Sequence, residues 1–130
     1  MNIKSEHLNS LKYKEVVKMT LPAYPNYAKV CRLAISGIVT TAGYSVDEIE
    51  DMFQAITAAW MLFELADTID INVSILSKDC IELDFKANGT KNTDKTNYSL
   101  MELSIKYLIN VFEAQINKKD GVIKGVCFYI

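Results

Sequence analysis

The chain has one histidine, His7, and it lies in a polar, patternless leader. A histidine-based metal site and a Cys-His or Ser-His catalytic pair therefore lack their usual base or ligand. The three cysteines, Cys31, Cys80 and Cys127, are an odd number with no CxxC spacing, and each sits among apolar residues. That pattern predicts buried, reduced thiols in a cytoplasmic protein, with no disulfide framework and no metal. No Lys/Arg block stands out and the formal net charge is −2, so nothing offers the clustered cations that nucleic acid requires. The start, MNIKSEHLNSLKYKEVV, has no apolar run of signal-peptide length, and no segment reaches the roughly 18 apolar residues of a membrane span.

What is present is the composition of a globular domain, with 130 residues, half of them hydrophobic and 23% charged. The reading is one domain over residues 12–130 behind a loose tail over 1–11. Residues 12–21 alternate as a strand, with Tyr13, Val17 and Met19 on one side. Pro22 and Pro25 then force an extended entry. Tyr27, Val30, Cys31, Ala34 and Ile38 predict a first helix over about 26–41, closed by Gly43.

The stretch SVDEIEDMFQAITAAWMLFELAD, residues 45–67, reads as one long amphipathic helix. Ser45 with Glu48 is a capping box, and acids crowd the positive end of the helix dipole. Ile49, Met52, Phe53, Ile56, Ala59, Trp60 and Phe63 form its apolar stripe. Residues 70–77 and 80–86 alternate on either side of Ser77-Lys78-Asp79, which predicts an antiparallel hairpin covered on one face. A polar loop over 87–98 leads to a helix over about 99–109. Residues 111–117 either extend that helix or alternate as a strand, and Asp120-Gly121 favours a closing hairpin with 122–130. The expected fold is an α/β sandwich of the α+β class, a mostly antiparallel sheet with about three helices on one face.

Three segments carry a family likeness: Pro22-Ala23-Tyr24-Pro25-Asn26-Tyr27, Arg32-Leu33-Ala34-Ile35-Ser36-Gly37, and Gly43-Tyr44-Ser45-Val46-Asp47-Glu48-Ile49-Glu50-Asp51. Together they resemble the anti-sigma-factor serine kinases, members of the GHKL (histidine-kinase-like) ATPase superfamily. The resemblance implies a GHKL-like fold, a homodimer, and a sigma factor or a STAS-domain anti-anti-sigma protein as partner. Of the contact region, it carries Arg32 over as a partner-binding residue, with Asn26, Tyr27 and Glu50 behind it. The alternative for Arg32 is a solvated charge on the polar side of its helix.

The same resemblance predicts a general-base glutamate and a metal-holding asparagine further along the long helix. Ala58 and Leu62 stand at those places, and a hydrocarbon neither accepts a proton nor binds Mg²⁺. At the adenine motif Ala87 replaces the aspartate while Gly89 is kept. At the phosphate-binding turn Ser99-Leu100-Met101-Glu102 has no glycine. Trp60, Met61, Leu62 and Phe63 either fill a former nucleotide pocket or are simply core. From these residues the expectation is no cofactor, no catalytic site and no enzymatic activity, leaving a module that sequesters a partner. The alternatives are an active serine/threonine kinase acting on an anti-anti-sigma protein, and a structural dimeric module.

Overall fold

A computed structural model describes residues 15–77, 80–89, 98–119 and 122–130. The expected tail, His7 and the two hairpin turns at Lys78-Asp79 and Asp120-Gly121 lie outside the described residues. In chain order the elements are β1 (Glu15–Pro22), α1 (Tyr27–Thr41), α2 (Val46–Met61), β2 (Thr68–Ser77), β3 (Cys80–Asn88), α3 (Tyr98–Phe112), β4 (Gln115–Lys119) and β5 (Val122–Tyr129). The five strands form one antiparallel sheet in the order β1-β2-β3-β5-β4. With three helices among the described residues this is the α+β architecture expected, and it is compatible with a GHKL ATPase-like fold.

The sheet has one wet face because its strands alternate. Ile69, Ile71, Val73, Ile81, Leu83, Phe85, Val126 and Phe128 are buried against the helices. The opposite face carries Thr20, Asp70 and Lys86 in lateral register. There Thr20 Oγ1 donates to Asp70 Oδ1 at 2.7 Å, and this bond, with Asn88 and the charge of Lys86, holds the Asp70 carboxyl below its ordinary range. On the buried side Phe63, Phe85, Phe128 and Phe112 follow one another with ring centroids 5.6–6.4 Å apart, tying the end of α2 to the sheet and to α3.

The helix hairpin α1–α2 is set by its caps. Gly43 (φ +88°) ends α1 in a Schellman arrangement, with Gly43 N–H donating to Thr40 O and Tyr44 N–H to Val39 O. Both bonds of the Ser45–Glu48 capping box are made, at 3.2 and 3.0 Å.

Three expectations change. The helix predicted over 45–67 stops at Met61 with Leu62 as its C-cap. Its apolar stripe continues through Phe63 with no glycine or proline to stop it, so the end is imposed by tertiary structure. Asp67 already belongs to the sheet, its N–H donating to Asn88 O at 2.8 Å and its C=O accepting from Ala23 N–H at 3.1 Å. The buried face of α1 is Ala28, Cys31, Ile35 and Val39; of the predicted stripe Cys31 is buried, Tyr27 and Ile38 pack partly against the core, and Val30 and Ala34 are exposed. This helix has apolar residues on both sides, and a shift of one residue turns the stripe by about 100°. Finally, α3 runs to Phe112, and Glu113 at φ +54° turns the chain so that β4 starts at Gln115.

Candidate functional site

The short connection after Gly43 folds α2 antiparallel against α1, which brings Arg32 to the C-terminal half of α2. Arg32 is half-buried, and its Nη1 donates to Thr57 Oγ1 at 3.1 Å. Thr57 in turn donates to Phe53 O at 2.9 Å, so its hydroxyl is fixed as an acceptor for the guanidinium. Arg32 is thus held across the helix pair and is not a freely solvated charge. Among the described residues it has no carboxylate partner in an ion pair.

Two cavities open on either side of this contact and share Arg32, Thr57 and Met61 as a common wall. One, of about 410 Å³, lies between α2 and α3 and reaches Phe53, Ala58 and Tyr107. The other, of about 440 Å³, lies beneath the 23–25 segment and is walled by Ala28, Trp60 and Met101, with Glu64 also lining it. Trp60 is buried, and its indole N–H donates to Tyr24 O at 3.0 Å, which fixes the ring as a rigid wall. Ser104 Oγ lies 3.8 Å from Met61 Sδ, and Tyr107 OH donates to Gln54 Oε1 at 3.4 Å. Burial first, then the charge of Asp51, raises the Tyr107 hydroxyl above its ordinary pKa.

Of the expected contact residues, Asn26 is exposed at the N-cap of α1 without a side-chain capping bond, and Tyr27 is half-buried against the core. Both sit at the same end of α1 as Arg32. Glu50 is exposed but lies seven residues before Thr57, about 10 Å away along α2, and is not brought to Arg32. Thr57 was not singled out by the sequence pattern. Counting outward from the turn at Gly43 puts residue 32 opposite about residue 55, and that hairpin geometry is the signal that points to it.

The residues at the kinase-motif places are all located. Ala58 is buried and lines the smaller cavity, whereas Leu62 is buried in the core and lines neither. Met61 is 38% exposed, so the Trp-Met-Leu-Phe run is core only at Trp60, Leu62 and Phe63, and the helical face is not sealed. Ala87 is half-buried. Gly89 has φ +68°, and a Cβ there would collide with the Asp67 carboxylate. The Ser99–Glu102 segment is the start of α3 and not a loop. No group of three His, Cys, Asp or Glu able to hold a metal occurs among the described residues. Cys31 and Cys80 are buried and Cys127 is half-buried, each outside any disulfide; burial pushes the Cys31 thiol up to about 12 against the opposing pull of Arg32. No helix among the described residues is long and apolar enough to cross a membrane.

No protein-family profile matches the chain. It is 40% identical to the serine-protein kinase RsbW of Bacillus subtilis (strain 168) over 45 residues, 35% of this chain and 28% of that protein. It is 42% identical to the serine-protein kinase RsbW of Bacillus licheniformis over 45 residues, again 35% and 28%. Against the serine-protein kinase RsbW of Listeria monocytogenes serotype 4a (strain HCC23) the identity is 34% over 80 residues, 57% of this chain and 51% of that protein. The matches thus span between about a quarter and half of the relatives' length. They overturn the expectation that the chain is not an enzyme: the relatives are named as serine-protein kinases, which points to kinase activity. Phosphoryl transfer by this chain would draw its base and its metal ligand from side chains other than Ala58 and Leu62, since a methyl and an isobutyl group supply neither.

Proposed function

We propose that this chain is a cytoplasmic regulator of the anti-sigma serine-kinase class, a homodimer that binds a sigma factor or a STAS-domain antagonist of one. The likeness to the serine-protein kinases RsbW supports the class. The observation that carries the protein-binding part is the state of Arg32. Its guanidinium is positioned by a neutral hydroxyl, no carboxylate neutralises it among the described residues, and it stands beside side chains that water does not favour. Tyr24 is 69% exposed and Leu33 61%, with Val30 on the same helix at 46%. An arginine that shares a cavity wall with an exposed tyrosine, on a helix that also exposes aliphatic side chains, has the composition of an interface hot spot. Asn26 and Tyr27 extend the contact toward the N-terminus of α1, and Glu50 lies on its outer margin.

The test is calorimetric titration of the full chain with purified sigma factors and STAS-domain proteins of the host cell. The expected result is saturable binding to one of them at micromolar concentration or below. Absence of binding to every member of the panel would overturn the reading. Sedimentation of the free chain tests the dimer, and label transfer from ATP to a bound STAS-domain protein tests the activity to which the relatives' names point.

A further inference from the structure

The 440 Å³ cavity beneath the 23–25 segment has the size of a small-molecule site, which runs from roughly 300 to 1,000 Å³. Its walls are unusual for a surface hollow. The indole of Trp60 is buried and held by its bond to Tyr24 O, Ala28 is buried beside it, and two methionines supply an adaptable apolar lining. At one side stands the guanidinium of Arg32, half-buried and bonded only to the Thr57 hydroxyl among the described residues. A cation against apolar walls gains most from an anion that brings its own apolar body. Glu64 also borders the cavity, but it is exposed and lies in the turn that follows α2.

We propose that this cavity is a binding site for a small apolar carboxylate, its tail against Trp60 and Met61 and its carboxylate on Arg32. The site shares Arg32 with the protein contact proposed above but does not depend on it, because no protein partner enters its test. A ligand seated there would compete with a partner for the same guanidinium.

Trp60 is the single tryptophan of the chain, so its emission reports this wall alone. The full chain is titrated with sodium decanoate below its micellar range, with decanol and decylamine as neutral and cationic counterparts, by fluorescence and calorimetry on the same samples. Saturable binding of decanoate is expected, with decanol at least tenfold weaker. Arg32→Gln should weaken decanoate about 10- to 100-fold, the range for a lost charge-assisted hydrogen bond, and Arg32→Lys should restore part of it. Ala66→Leu, which adds bulk at a half-buried wall position, should block binding while leaving Arg32 in place. Glu64→Gln should leave it unchanged or tighter. Equal binding of decanol, indifference to both Arg32→Gln and Ala66→Leu, or no saturable signal by either method would each overturn the proposal.

Discussion

The two ends of α2 are built on different physics. At the N-terminus, Ser45 and Glu48 close a reciprocal capping box within four residues, and the acids Asp47 and Glu48 sit on the positive end of the dipole. Nothing outside the helix is needed. At the C-terminus the cap is Leu62 and not a glycine or polar residue; Leu62 and Phe63 are buried, and the chain is turned by the hydrogen bonds that enlist Asp67 in the sheet. One end is specified locally, the other by packing. The proposed contact surface grows from the second end, because the turn of Thr57, Trp60 and Met61 that meets Arg32 is also the turn that the core holds in place.

The largest expected effect separates the two ends directly. Phe63 is 1% exposed and stacks on Phe85 with centroids 6.4 Å apart, so Phe63→Ala should lower stability by about 3–5 kcal/mol in urea unfolding. Trp60→Phe keeps most of the packing but removes the indole donor to Tyr24 O, and about 1–3 kcal/mol is expected. Ser45→Ala breaks the local end alone and should cost about 1 kcal/mol, leaving the Arg32 surface intact. If Ser45→Ala proved as damaging as Phe63→Ala, the contrast between local and tertiary control would be wrong.

The smallest effect is a pH dependence on α1. Cys31 is fully buried with its thiol pushed up to about 12, above the unfolded value, so the folded state holds that proton more tightly. Its contribution to stability is complete below about pH 8.5 and is lost as pH climbs from there toward 12. At pH 9 the loss should be about 0.5 kcal/mol relative to pH 7 and should shrink in Cys31→Ala, as read from unfolding midpoints.

This division also explains what was legible in the sequence. The order of elements, the capping box, the stop at Gly43 and the one-sided hairpin β2–β3 are written in short-range patterns, and the structure has them. The end of α2 and the rotation of α1 were not legible, because apolar residues continue past Met61 and surround α1 on two sides. The site follows the same rule. Arg32 was visible through the family likeness, but Thr57 as its acceptor and the paired cavities arise from antiparallel helix contact. The kinase motifs pointed away from activity at Ala58, Leu62 and Ala87, whereas the relatives' names point toward it.

The measurement closest to the centre of this account compares Arg32→Glu with Arg32→Lys and the unaltered chain for binding of the sigma factor or STAS-domain partner. Helicity is checked on each sample. Arg32→Glu is expected to keep its helical content and lose at least tenfold in affinity, with Arg32→Lys in between, because charge reversal at the proposed contact leaves the partner's acid unpaired. Unchanged affinity in a folded Arg32→Glu chain would contradict it and move the contact off α1.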